Sequence, residues 1–540
     1  MNASKATFFA ASFLLLTWAA PTAAQDPPRG RDEGSSAKAA RDQDESKLVD
    51  QDKARPAIPT DQRSGRRLEL KLGDCFALGD RGNLNLALDR LQQLLAREDV
   101  EIADAFFEPQ FFATADWRRT KSPPRNAFQP SSTSKSYGGN VGLRKTFVTG
   151  GSLELAYGPR YTDQRVASTF AFPTTFFAGD LTLTANQPLL RGAWSESNLA
   201  DFEAARLEEA ARIEDYQRRR QEILEAIAAA YFELVFRRED YVVRYQSLDL
   251  SREQLATTEQ RIRLGELAPR DRIADQADVA KKEEELIRAE NAILDSEDDL
   301  RRLILPFREE AAWDFVLIPM EALGEEDPAF AFPAIDTALR IARQSRPDLV
   351  ALEQRVEAAE ALLRKAKQDT LPQLDLNATY RTAAQRDDYP AFQSDVLEAI
   401  YPEYAITLNF VLPLGNKAAK GRHTKALLEV ERNLRAQHVT VVDIEQSVRT
   451  QLRALDTLKK SIGAATESAR LARNDLESEQ IKLRLGEGVR IEVQRRNQQY
   501  QDARSLLLRA RLDYRIAWFR FLSALGRIDA NSYDAAAVED

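Results

Sequence analysis

The sequence predicts a mainly α-helical chain with a smaller part built of strands, written as two tandem copies of one structural unit. Three observations carry that prediction. Two stretches run far longer than ordinary globular helices, and both end in a Leu-Gly-Glu corner. The segments before them share the same prolines and the same alternating strands. Beyond the N-terminal leader, no stretch is apolar over the roughly 18 residues that a membrane helix needs, so any crossing is made by strands.

Composition fits a long helical protein. Of 540 residues, 30% are charged, Gly and Pro number only 22 each, and the net charge is −9. This acidic balance, without a basic patch, argues against nucleic acid as a partner. The single Cys75 excludes an internal disulfide. His423 and His438 sit among polar residues on a predicted helix and read as solvated side chains rather than metal ligands.

In chain order, Lys5, an apolar run through Trp18 and the small residues Thr22-Ala23-Ala24 form the three regions of a secretory signal peptide, residues 1–24. The apolar run is too short for a transmembrane anchor. No cysteine lies at the cut, so lipid attachment is not expected. Residues 25–67 are polar and charged and predict a disordered lead-in.

The first unit spans 68–305. It opens with a short helix near Leu84–Phe107, broken by Pro109. Strands follow at Pro109–Arg118, at a hairpin of Asn140–Phe147 and Ser152–Tyr161 about Thr149-Gly150-Gly151, and at Leu181–Pro188. The rod Ala193–Leu264 contains neither Pro nor Gly; its roughly 70 residues reach roughly 100 Å at 1.5 Å each. Its seam follows Tyr231, Leu234, Tyr241 and Leu248 at heptad spacing. After the corner Leu264-Gly265-Glu266 the chain returns as a helix near Arg270–Ile304. Residues 306–332, with Trp313, several prolines and a run of acids, read as a linker around the waist of the rods.

The second unit, 333–526, repeats the plan. A helix is expected near Ile335–Asp369, strands at Leu374–Arg381 and Ile406–Leu412, a polar loop at Thr382–Asp395, then a rod with the seam Leu455, Ile462, Ala465, Ala469 and Leu476. The corner Leu485-Gly486-Glu487 leads to a helix near Arg490–Leu525, and 527–540 predict a disordered tail. Leu86 to Pro109 and Leu349 to Pro372 share a spacing of 23, and Pro109-Gln110 matches Pro372-Gln373. The 140–161 hairpin has no counterpart in the second half. By pattern alone the strands fit either a membrane barrel wall or a soluble hairpin cap.

Taken together, the doubled unit, the Pro-Gln strand starts, the Pro-Leu segments before the rods and the two Leu-Gly-Glu corners resemble the TolC family of outer membrane efflux proteins, over about Leu68–Gly526. The resemblance implies a homotrimer in which each subunit gives strands to one shared β-barrel and helices to one periplasmic α-barrel. The location would be the outer membrane and its lipid, extending into the periplasm. Two strands per half would give about 12 in the trimer, and the extra hairpin about 18. The resemblance also implies that the tips Leu264, Gly265, Glu266, Leu485, Gly486 and Glu487 meet a periplasmic adaptor. The family's acidic aperture falls on Glu492, with Asp271 as its first-half counterpart; Arg495 departs from the pattern, and the Glu–Arg mixture suggests ion pairs that close the pore.

The function so implied is a passive exit duct of a tripartite efflux or type I secretion system, driven by an inner-membrane transporter. No cofactor is expected and no Gly-x-x-x-x-Gly-Lys-Ser/Thr motif is present. The alternatives are a periplasmic adaptor, which the doubled rods oppose, and a coiled-coil envelope protein without a pore. An enzyme is the weakest reading, since the acids are spread along helix faces without a nucleophile–base grouping.

Overall fold

The computed structural model describes Ile58 and residues 66–123, 132–166, 175–305, 313–321 and 332–529. The expected signal peptide, nearly all of the lead-in, the tail from 530, residues 124–131 and 167–174 and part of the 306–332 linker lie outside the described residues. Strand β1 (Arg66–Leu70) starts two residues inside the stretch expected to lack structure and pairs in parallel with β7 (Phe315–Pro319), inside the linker. Helix α1 (Leu72–Gly82) was not expected; Asp74 accepts from the backbone N–H of Lys71 and starts it. Helix α2 (Leu84–Asp104) is capped by Asn83, whose side chain accepts from Asn85 and Leu86.

The first rod is α3 (Ala200–Arg263), 64 residues and about 96 Å long. It is shorter at its start than the sequence suggests. Residues Ser195–Asn198 form a separate turn, because Asn198 donates to the carbonyls of Val148 and Gly192 instead of facing solvent along a continuous helix. Helix α4 (Asp271–Ile304) returns along the distal part of α3, while α2 covers the part nearer the strands. In the second half the single expected helix is two, α5 (Ile335–Ser345) and α6 (Pro347–Gln368). Pro347 forces Arg346 into extended backbone and starts α6 at its first position. The second rod, α8 (Lys417–Arg484), has 68 residues and packs against α6 and α9 (Arg490–Ala524).

The remaining strands form one antiparallel sheet of β2 (Gln110–Ser122), β3 (Ser132–Thr146), β4 (Ser152–Tyr157), β5 (Arg160–Val166), β6 (Thr175–Pro188), β8 (Gln373–Arg386) and β9 (Pro402–Val411). The extra hairpin joins this sheet. Both β4 and β5 lie between β3 and β6, so they occupy one column interrupted at Gly158-Pro159, where proline has no N–H to give the ladder. Among the described residues the sheet is therefore six columns wide, with β2 and β9 at its edges. The expected loop 382–395 is instead the end of β8 and helix α7 (Tyr389–Leu397), which Asp388 caps by accepting from Ala391. Phe392 and Val396 of α7 bury against Tyr157, Phe177 and Leu181.

The largest core lies at mid-rod. There Tyr231 and Phe232 of α3, Trp518 and Phe519 of α9 and Phe76 of α1 are fully buried together. Phe76 meets Phe519 edge-on at 6.0 Å, and Tyr231 donates to the Leu70 carbonyl of β1. The small β1–β7 sheet is thereby fastened to the rod.

Candidate functional site

Two regions carry chemistry that a plain scaffold does not need: the wide sheet and the far ends of the rods. In the sheet, register sorts side chains by face. One row crosses all six columns as Phe111, Leu143, Leu155, Leu183, Tyr380 and Tyr404. Phe111 and Tyr404 at its ends are 71% and 76% exposed. Ile406, Leu408 and Phe410 continue the same exposed face on β9. The opposite face is polar, with ion pairs Arg144–Glu154 and Arg160–Asp116 at 2.7 Å and Arg381–Asp180 at 2.5 Å. A sheet with an exposed apolar face and a charged reverse is the sorting that a wall between lipid and water requires.

About 96 Å away, each rod ends in the same turn. Gly265 and Gly486 have φ of +76° and +81°. Gly265 N–H donates to Ile262 and Glu266 N–H to Arg261; Gly486 donates to Leu483 and Glu487 to Lys482. These are two Schellman caps, in which the left-handed residue lets the last helical carbonyls find donors. Leu264 and Leu485 beside them are 75% and 71% exposed, and a Cβ on either glycine would meet nothing within 4 Å. The caps therefore explain the glycines, while the two bare leucines serve no packing purpose in the chain itself.

At the start of α9, Glu492 bonds to Arg495 at 2.5 Å, one helical turn along the same face. Asp271 does not meet Glu492. It lies 3.6 Å from Arg490, which also donates to Thr258 Oγ1 at 3.0 Å. Arg490 is the residue that sequence reasoning missed: it ties the second hairpin to the first. Behind it Gln494 donates to Asp275 at 2.8 Å, and the other Asp275 oxygen is buried without a hydrogen bond. Thr258, Asp278, Arg490, Gln494 and Asn497 line a cleft of about 310 Å³ between the hairpins. Among the described residues no cluster of three or more His, Cys, Asp or Glu has metal-holding geometry, and no helix is long and apolar enough to cross a membrane.

Residues 338–527 match the profile of the outer membrane efflux protein family. Among curated proteins the sequence has no significant match. Solved structures similar to the chain include a membrane protein from Pseudomonas aeruginosa, 18% identical with a TM-score of 0.64 over 84% of this chain and 93% of that one. The CmeC outer membrane channel of Campylobacter jejuni is 15% identical, with a TM-score of 0.64 over 86% and 88%. The MtrE outer membrane channel of Neisseria gonorrhoeae in its open state is 18% identical, with a TM-score of 0.61 over 84% and 88%. At these identities the likeness is one of fold.

Proposed function

We propose, from the premise that residues 338–527 are an outer membrane efflux protein domain, that the protein is the outer membrane exit duct of a tripartite efflux or type I secretion system. The observation that carries the reading is the six-column sheet with one apolar and one charged face, joined directly to two rods about 100 Å long. Its two outer strands leave backbone groups unpaired, which lipid does not tolerate. Copies joined edge to edge satisfy them, and three copies give about 18 strands. The apolar face would then meet outer membrane lipid, and the rods would form a periplasmic α-barrel. The correspondence of α2–β2 with α6–β8 and of the two corners supports reading the chain as two tandem repeats.

In this reading the tips Leu264, Gly265, Glu266, Leu485, Gly486 and Glu487 meet a periplasmic adaptor, and the transport energy comes from an inner-membrane transporter. Asp271, Glu492 and Arg495 lie at the aperture. Purified full-length protein in detergent should run as a heat-sensitive oligomer and give stepwise conductance in a planar bilayer. A monomer that opens no holes in lipid overturns the proposal. Replacing Glu492 and Arg495 together by Gln should raise single-channel conductance; an unchanged value argues against a gate at that pair. Leu264→Glu with Leu485→Glu should abolish transport in cells while leaving conductance intact, because docking and not the pore is damaged.

A further inference from the structure

We propose that adjacent copies of the chain are keyed together just below the sheet by an electrostatic clasp between the end of α2 and the start of α8. The inference rests on the edge-to-edge closure proposed above and adds the side chains that set its register. Sheet order supplies the placement. Helix α2 leads into β2, one edge, and α8 follows β9, the other edge. Asp104, the last residue of α2, precedes the first residue of β2, Gln110, by six positions, and Lys417 follows the last residue of β9, Val411, by six. When β2 of one copy pairs with β9 of the next, α2 and the neighbour's α8 are brought side by side at the same height, running in opposite directions.

Their charges are complementary. The last turns of α2 carry Glu98, Asp99, Glu101 and Asp104, all exposed, against the single base Arg97. The first turns of α8 carry Lys417, Lys420, Arg422 and Lys425, all exposed, with no acid before Glu429. Among the described residues none of these eight side chains has an ion-pair partner within the protomer.

The two helices between them behave differently. At the same level, the acids at the start of α3 are taken up by the bases at the end of α6: Glu203 by Arg364 at 3.0 Å, and Asp201 by Lys365. Acid-to-base pairing thus already operates within the protomer at this level, whereas the two flanking helices each present a block of one sign. Farther from the sheet both flanks turn apolar, with Leu91 and Leu95 exposed on α2 and Leu427 and Leu428 on α8. Leucines against leucines give adhesion at any axial offset, whereas a block of acids against a block of bases favours one.

The test is a charge swap in the full-length chain. Replacing Lys420, Arg422 and Lys425 by Glu should weaken the oligomer, raising the protein concentration at which half of it dissociates on dilution in detergent by about tenfold or more, since several exposed pairs become repulsive at every seam. Adding Glu98→Lys, Glu101→Lys and Asp104→Lys to the same chain should restore it. Loss without restoration means that the bases serve another partner, such as anionic lipid headgroups, and overturns the clasp; so does a reversal that changes nothing. Independently of how the reversed chain folds, Glu101→Cys with Arg422→Cys should give a reducible ladder of cross-linked copies, and no ladder overturns the proposal. If the unmodified protein forms neither oligomers nor channels, the duct reading fails; if it forms both and only the swap and the ladder fail, the clasp alone is wrong.

Discussion

At the scale of single residues, the corners show how one conformational demand explains a motif. Gly265 and Gly486 sit in the left-handed region with open space where a Cβ would go, so an alanine there suffers only the backbone cost, roughly 1–2 kcal/mol. Gly486→Ala should lower thermal stability slightly, and Gly486→Asn less, because asparagine tolerates that backbone; a thermal melt followed by circular dichroism distinguishes them. Both corners were legible because a glycine after a long uninterrupted helix has few other meanings. Arg490 was not legible, since its partners Asp271 and Thr258 lie more than 200 residues earlier in the chain and nothing local marks it. Cys75 is a further residue-scale case. Burial pushes its thiol far above its ordinary value, with Asp74 adding to the effect. Because burial disfavours the thiolate, raising the pH to about 9, above an ordinary thiol, should still leave Cys75 unlabelled by maleimide until the protein is unfolded; rapid labelling of the native protein contradicts this.

At the scale of elements, the rods, the returning helices and the strand cores were readable because each has a long, regular pattern. What the pattern missed was set by tertiary contacts or by a single residue. Pro347 splits one expected helix into α5 and α6. Helix α7 replaces an expected loop, because Phe392 and Val396 find an apolar patch on the sheet that the local sequence does not reveal. The hairpin 140–161 was seen, but its place in the sheet depends on β4 and β5 sharing a column, a fact of pairing and not of periodicity. The docking of α9 on α3 should likewise depend on a few large side chains. Trp518→Ala removes a fully buried ring from the mid-rod core and should cost about 3–5 kcal/mol, seen as a lowered Tm with the helix content at low temperature unchanged. The same change at the exposed Leu506 should have little effect.

At the scale of the whole molecule, the count of six columns matters more than the number of strands. Neighbouring columns alternate in direction, so an even number leaves the two edges pointing opposite ways; in the duct proposed above, identical copies would then join in antiparallel register all round. A deletion of 132–166 removes two columns and keeps the count even. It should still oligomerise but with a narrower pore, read as a smaller conductance step; deletion of one column alone should abolish assembly. The uneven distribution of apolar side chains along the rods has a different result. Aromatic rings and the β1–β7 strands grip the rods at mid-length, whereas toward the tips the buried contacts are smaller and mixed, with polar Asp275, Lys282, Asn497 and Thr258 beside Leu476 and Val493. Polar contacts between helices are exchanged with water at little net cost, and apolar ones are not. If the proposed duct opens at its tips, the mid-rod core would act as the fulcrum, because fewer large apolar contacts hold the arms beyond it. A displacement too small to disturb the packed rings would then become a wide excursion at the leucine-tipped ends, so the duct would open without unfolding.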